Sequence, residues 1–176
     1  MSEYTLTLLR HAKSSWQDPS LTDMERPLNK RGRRDAAAMA VPLKEHGATF
    51  KTIFASPARR TRETITRMLL ALPAQDAQLI FEERFYSFER DQLLQAIRQL
   101  DDKHNDVMIV GHNPAMRETL RWLTGKIIDE FPTCAAAQLS LDLPSWSKIG
   151  KGSAQLRWVL LPKLATTLGN IADGDI

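Results

Sequence analysis

Three short apolar runs each end abruptly at a residue able to do chemistry, and this recurrence limits the fold of the chain more than any other feature. Tyr4-Thr-Leu-Thr-Leu-Leu9 ends in Arg10-His11, Thr52-Ile-Phe-Ala55 ends in Ser56, and Asp106-Val-Met-Ile-Val110 ends in Gly111-His112. Such runs, β-branched and apolar and bounded by polar loops, read as buried strands. The segments between them carry helical spacing. Ala36, Ala37, Ala40, Val41 and Leu43 predict one buried face of a helix from Arg33 to about His46, with Gly47 as its stop and Pro42 as a kink. Ser56-Pro57 reads as the cap and first-turn proline of a helix reaching about Leu72. A weaker strand over Leu79–Phe81, a helix over Asp91–Gln99 and a helix from Asn113-Pro114 to about Thr124 continue the alternation.

After Pro132 the period changes to two, over Ala137–Leu143 and Ala154–Leu161, which predicts antiparallel strands at the end of the chain. The expected fold is therefore α/β, a single three-layer domain with a mostly parallel central sheet, helices on both faces and antiparallel C-terminal strands. A length of 176 residues suits one domain, placed at 1–164, with 165–176 as a short C-terminal tail. Hydrophobic residues at 43% and charged residues at 26% exclude disorder, and no apolar run approaches membrane-spanning length. The N-terminus has no basic patch followed by an apolar run, and the single cysteine, Cys134, cannot form an internal disulfide. Both observations set the expected location as the cytoplasm. Cys134 is expected to be a small buried or half-buried residue, and Trp158, on an alternating strand, a core residue.

Charge is unevenly spread. Residues 1–70 hold thirteen Lys and Arg against seven Asp and Glu, while the remainder is net acidic. The basic half can attract an anion, and the motifs decide which kind. In open α/β sheets, ligands bind beyond the carboxyl ends of the strands. His11 and Arg10, Ser56 with Arg60 four residues on, and His112 would then meet on one rim. Two imidazoles and two guanidiniums suit a phosphoryl dianion better than a neutral substrate. Taken singly, Ser56-Pro57 is a helix cap, and Arg59, Arg60, Arg62 and Arg67 are a solvated basic face. Their joint occurrence at strand ends is what points to a site. His46 and His104 sit beside polar neighbours near helix ends and receive no role.

These same residues carry a family resemblance. Leu9-Arg10-His11-Ala12-Lys13-Ser14, Ser56-Pro57-Ala58-Arg59-Arg60-Thr61-Arg62-Glu63-Thr64 and Val110-Gly111-His112-Asn113-Pro114 resemble the three motifs of the histidine phosphatase superfamily, which includes the phosphoglycerate mutases. The Arg-Pro-Leu-x-x-Arg-Gly element at Arg26–Gly32 and the short chain are most similar to its SixA-like phosphohistidine phosphatase branch. The resemblance covers residues 4–125. It implies a phosphoglycerate mutase-like fold and makes His11 the nucleophile of a covalent phosphohistidine intermediate. Arg10, Arg60 and His112 are the implied binders of the phosphoryl oxygens, and the spacing selects Arg60 over Arg59. Asp23 and Arg26 match a polar pair near the pocket, and together with Ser56 are candidate substrate-binding residues. Lys13 and Ser14 would line the entrance. Neither a metal nor a cofactor is implied.

Attack needs an unprotonated imidazole, so nearby cations should depress the His11 pKa, and a backbone acceptor should fix its tautomer. The glutamate that protonates alkoxide leaving groups in mutases and many phosphomonoesterases of the superfamily has no match here. Glu82 and Glu83 precede Arg84-Phe-Tyr86 at an unpersuasive spacing. A phosphorylated imidazole needs little acid assistance, which favours phosphohistidine in a partner protein over sugar phosphates. The alternatives are a small-molecule phosphomonoesterase of the same superfamily, a mutase, and a non-catalytic phosphate- or phosphopeptide-binding module. A nucleic-acid partner, resting on Arg31-Gly-Arg-Arg34 and Arg59-Arg-Thr-Arg62, lacks interleaved aromatic residues and is not expected, and neither is a membrane partner.

Overall fold

A computed structural model describes residues 2–72 and 76–161. The chain runs β1 (Ser2–Arg10), α1 (Lys30–Ala38), α2 (Ala40–Glu45), β2 (Thr52–Ala55), α3 (Arg59–Ala71), β3 (Gln78–Phe81), α4 (Arg90–Arg98), β4 (Asp106–Gly111), α5 (Ala115–Thr124), β5 (Ala136–Leu143) and β6 (Ala154–Leu160). The six strands form one sheet in the order β3-β2-β4-β1-β5-β6. The first four neighbours are parallel, while β5 pairs antiparallel with both β1 and β6. The expected α/β domain with antiparallel C-terminal strands is what forms. The domain end at 164 and the tail 165–176 lie outside the described residues.

Because side chains alternate across a strand, the buried runs feed two cores at once. Leu6, Leu8, Val107 and Ile109 pack with Leu93, Ile97, Leu120 and Leu123 from α4 and α5 on one face. Leu9, Ile53, Met108 and Val110 pack with Ala36, Met39, Leu43, Ile65 and Met68 from α1 to α3 on the other. Trp146 is fully buried in the first core and its indole N–H donates to the His104 carbonyl at 2.7 Å. Trp158 is only half-buried against the second, because β6 is the edge strand. Cys134 is buried, as expected.

Two local expectations are corrected. The helix over Arg33–His46 is two helices that start earlier, at Lys30, and break at Met39, one turn ahead of Pro42. Pro42 has no N–H to donate to Ala38 and its ring crowds that carbonyl, so the chain turns before the proline. The break shifts the phase, which leaves Val41 half exposed instead of buried. Gly47 does end the second helix, at a positive φ of 62°. The second correction concerns Ser56. It extends β2, its N–H donating to the Val110 carbonyl at 3.0 Å, and α3 begins only at Arg59. Ser56 therefore does not cap α3, whose N-cap position is Ala58.

Candidate active site

The register of the parallel strands builds the site. Arg10 pairs with Gly111 and Ala55 with Val110, so the residues that follow, His11, His112 and Ser56, leave the sheet edge side by side. His11 and His112 lie with ring centroids 5.2 Å apart. Both are buried, at 8% and 1% exposure.

His11 Nδ1 lies 2.7 Å from the carbonyl oxygen of Ala12. A carbonyl can only accept, so Nδ1 carries the proton and Nε2 keeps a free lone pair. Burial, followed by the charges of Arg60, Arg10 and Arg26, lowers the His11 pKa to about 3 against the opposing pull of the Ala12 carbonyl. Burial and the guanidinium charges both favour the neutral ring. The backbone thus sets the tautomer and leaves an unprotonated ring nitrogen.

Arg60 is 1% exposed. One terminal nitrogen donates to the Asp23 carboxylate at 2.9 Å and to His112 Nδ1 at 3.1 Å, and the other donates to the Asp23 backbone carbonyl. Since His112 Nδ1 accepts, its Nε2 holds the proton and donates to the Ser56 hydroxyl at 2.7 Å. Burial, with His11 and Arg60 beside it, lowers the His112 pKa to about 2. Ser56 also accepts the Ala58 N–H at 3.2 Å, so its hydroxyl bridges the start of α3 and the imidazole. Both ring nitrogens of His112 are thus bonded to protein groups, and its contact with Arg60 is direct.

Arg10 is tied by one terminal nitrogen to the Phe131 carbonyl at 3.1 Å. The Nε–H groups of Arg10, Arg26 and Arg60 are buried with no partner. An orphaned guanidinium N–H costs free energy, and the charges of these three arginines all act on His11. Arg59 points away, exposed and paired with Glu63 at 2.9 Å, as the 100° step along a helix requires.

The loop between β1 and α1 brings in Asp23 and Arg26. They form an ion pair at 2.9 Å, and Arg26 also donates to the Ser14 hydroxyl at 2.8 Å while stacking on the Trp16 ring at 3.6 Å. Ser14 is buried beside Arg26, whereas Lys13 contributes its backbone: its carbonyl accepts from Asn29, and Gly32 packs against it. Glu82 is paired with Arg84. Among the described residues no group of three or more His, Cys, Asp or Glu is placed to hold a metal ion, and no helix is long and apolar enough to cross a membrane.

Tyr86 was not anticipated. It follows the short 3-10 turn Glu83–Phe85 after β3, and its hydroxyl donates to Asp23 at 2.5 Å while its ring stands edge-on to His112. The signal existed, because β3 is also parallel and its carboxyl end lies on the same rim. Thr64 is another. Its hydroxyl accepts the Ala12 N–H at 3.0 Å and donates to the Arg60 carbonyl at 2.7 Å.

Comparison with known proteins agrees with this architecture. Residues 6–89 match the profile of the histidine phosphatase superfamily (branch 1). An uncharacterized chloroplastic protein of Arabidopsis thaliana is 35% identical over 169 residues, covering 89% of this chain and 77% of its own. The SixA protein of Agrobacterium tumefaciens superposes with a TM-score of 0.75 at 27% identity, over 90% of this chain and 98% of that one. The SixA protein of Nakamurella multipartitia gives 0.78 at 25% identity, over 92% and 98%. With its sheet order, its strand-end histidines and these relatives in agreement, the chain belongs to the histidine phosphatase superfamily, in its SixA-like group, and is a phosphatase.

Proposed function

We propose that the protein removes phosphate from phosphohistidine in a partner protein, by two displacements through a phosphorylated His11 and without a metal. The carrying observation is the single free lone pair on His11 Nε2, in a ring kept neutral by burial and flanked by Arg10, Arg26 and Arg60. In the first displacement Nε2 attacks phosphorus and the substrate nitrogen leaves; in the second, water releases phosphate from His11. Charge spreads over the equatorial phosphoryl oxygens in each transition state, and the guanidinium groups of Arg10 and Arg60 lie beside the nucleophile to hold it. His112 serves this set by fixing Arg60, and Ser56 by fixing His112.

The preference for a P–N substrate rests on the carboxylates. Among the described residues, Asp23 is the carboxylate bonded to site arginines, and it is fully ionised. Hydrogen bonds from Tyr86, Arg60 and Arg26 outweigh its burial and hold it well below the usual carboxylate range. An acid that cannot hold a proton does not assist an alkoxide leaving group. The SixA relatives support the same substrate. A small-molecule phosphomonoesterase would need a proton donor that this set lacks, and a binding module would have no use for a free imidazole lone pair.

The test is brief exposure to a phosphorylated histidine-carrier protein followed by rapid quench. An acid-labile, base-stable phosphoryl label at His11 is expected, with turnover unaffected by chelator. Label on another residue, or turnover abolished by chelator, overturns the proposal.

A further inference from the structure

Asp23 lies on the 3-10 turn Asp23–Glu25 and covers the outer side of the site. Its Oδ1 accepts from Arg26 at 2.9 Å, and its Oδ2 accepts from Arg60 at 2.9 Å and from the Tyr86 hydroxyl at 2.5 Å. An ionised carboxylate offers about four acceptor positions. Three are filled, by Arg26 from the end of the same turn, Arg60 from α3 and Tyr86 from the segment after β3, which fixes the group in space, and one on Oδ1 is left. The Asp23 side chain is 43% exposed where that of Arg60 is 2%, so the carboxylate is open to an incoming molecule. Beside it, the rings of Tyr86 and Phe88 stand 5.3 and 4.9 Å from the His112 ring and meet each other edge to face at 85°.

We propose that Asp23 sets leaving-group specificity, its free acceptor position taking the ring N–H of a protonated nitrogen heterocycle whose other nitrogen carries the phosphoryl group. The inference rests on the phosphohistidine reading and names how the site chooses P–N over P–O substrates. In the transfer, the His11 Nε2–P bond forms as the bond between phosphorus and the substrate ring nitrogen breaks. The bonding pair stays on that ring nitrogen. The proton already on the distal nitrogen makes the departing group a neutral imidazole instead of an imidazolate, so no proton leaves the protein. A fixed carboxylate raises the fraction of substrate ring that carries this proton. An ester has no such proton to offer, and Asp23 gives it none. Tyr86 and Phe88, set edge to face, give an incoming aromatic heterocycle aromatic neighbours.

The experiment compares kcat/KM for N-phosphoimidazole and for para-nitrophenyl phosphate, from pH 5 to 9, in the wild type, Asp23→Asn and Tyr86→Phe. Losing a hydrogen bond between charged groups is expected to lower the P–N to P–O ratio about 10- to 100-fold in Asp23→Asn. The alkaline limb of the phosphoimidazole profile should move to lower pH in the same variant. Tyr86→Phe keeps the carboxylate and should keep the ratio, even if both rates fall. Equal losses on the two substrates in Asp23→Asn, with an unmoved alkaline limb, mean that Asp23 only holds the guanidiniums, and the inference is wrong. Asp23→Ser carries the same comparison should Asp23→Asn fail to fold. A wild type that hydrolyses the aryl ester but not phosphoimidazole refutes the phosphohistidine reading itself, before any variant is compared.

Discussion

Thr64 accepts the backbone N–H of Ala12 at 3.0 Å, across 52 positions of sequence. The same hydroxyl donates to the carbonyl of Arg60, and the carbonyl of Ala12 holds His11 Nδ1. One buried side chain thus links the residue that sets the His11 tautomer to the helix that carries Arg60.

Replacing Thr64 by valine keeps the shape and deletes both bonds. Misplacing a nucleophile by about 1 Å costs about 100-fold in rate, so kcat should fall by roughly that factor while KM changes little. Thr64→Ser should restore most of the loss. Steady-state kinetics on the three proteins check this, and a serine variant as poor as valine would mean that packing of the methyl, not the hydroxyl, matters.

Gly32 sits where α1 meets the loop after His11. A Cβ there would lie 2.1 Å from the Lys13 carbonyl oxygen, a backbone atom that cannot swing aside. Gly32→Ala should destabilise the fold by about 1–3 kcal/mol and lower activity through the displaced 11–14 loop. The urea midpoint and kcat measured together test both parts; an alanine variant as stable and active as wild type would contradict the contact.

The adjacent arginines should behave oppositely. Arg60→Ala removes a buried donor set worth about 3–4 kcal/mol of barrier, a loss of two to three orders of magnitude in kcat/KM. Arg59→Ala removes an exposed pair with Glu63, worth about 0.5 kcal/mol or less, and should leave kcat/KM within about twofold. Comparable losses in the two variants would mean that the wrong helix face has been assigned.

Acid should unfold the protein through its two site histidines. Their folded pKa values, about 3 and about 2, lie below the ordinary 6.5, so between those limits the unfolded chain binds more protons. Stability therefore rises with pH in that window and is lost as pH falls below about 6.5. At pH 5 the two groups together should cost about 4 kcal/mol at most. Urea titrations from pH 7.5 to 5 should show that slope, and a His11→Asn, His112→Gln double variant should flatten it. An unchanged slope in the double variant would place the titrating groups elsewhere.

Much of this was legible in residue order. Strand runs and helical spacing located the sheet and its two faces because burial imposes periods of 2 and about 3.6 on any chain. The rule that strand ends carry the site picked out His11, Ser56 and His112, and motif spacing chose Arg60 over Arg59. Helix boundaries were less legible: the break at Met39 depends on what Pro42 does to the preceding turn. Ser56 looked like a helix cap because the pattern Ser-Pro is the same whether the hydroxyl bonds to its own helix or to an imidazole 56 residues away.

The chain by itself determined which residue types stand at the ends of its buried strands, since local periodicity follows from the order of side chains alone. Only tertiary structure decided which nitrogen of each histidine carries the proton, that Asp23 faces Arg60, Arg26 and Tyr86 together, and that Thr64 reaches Ala12. Those are contacts between segments dozens of positions apart, and strand register, a property of the paired sheet and not of any one strand, sets them to within a hydrogen-bond length.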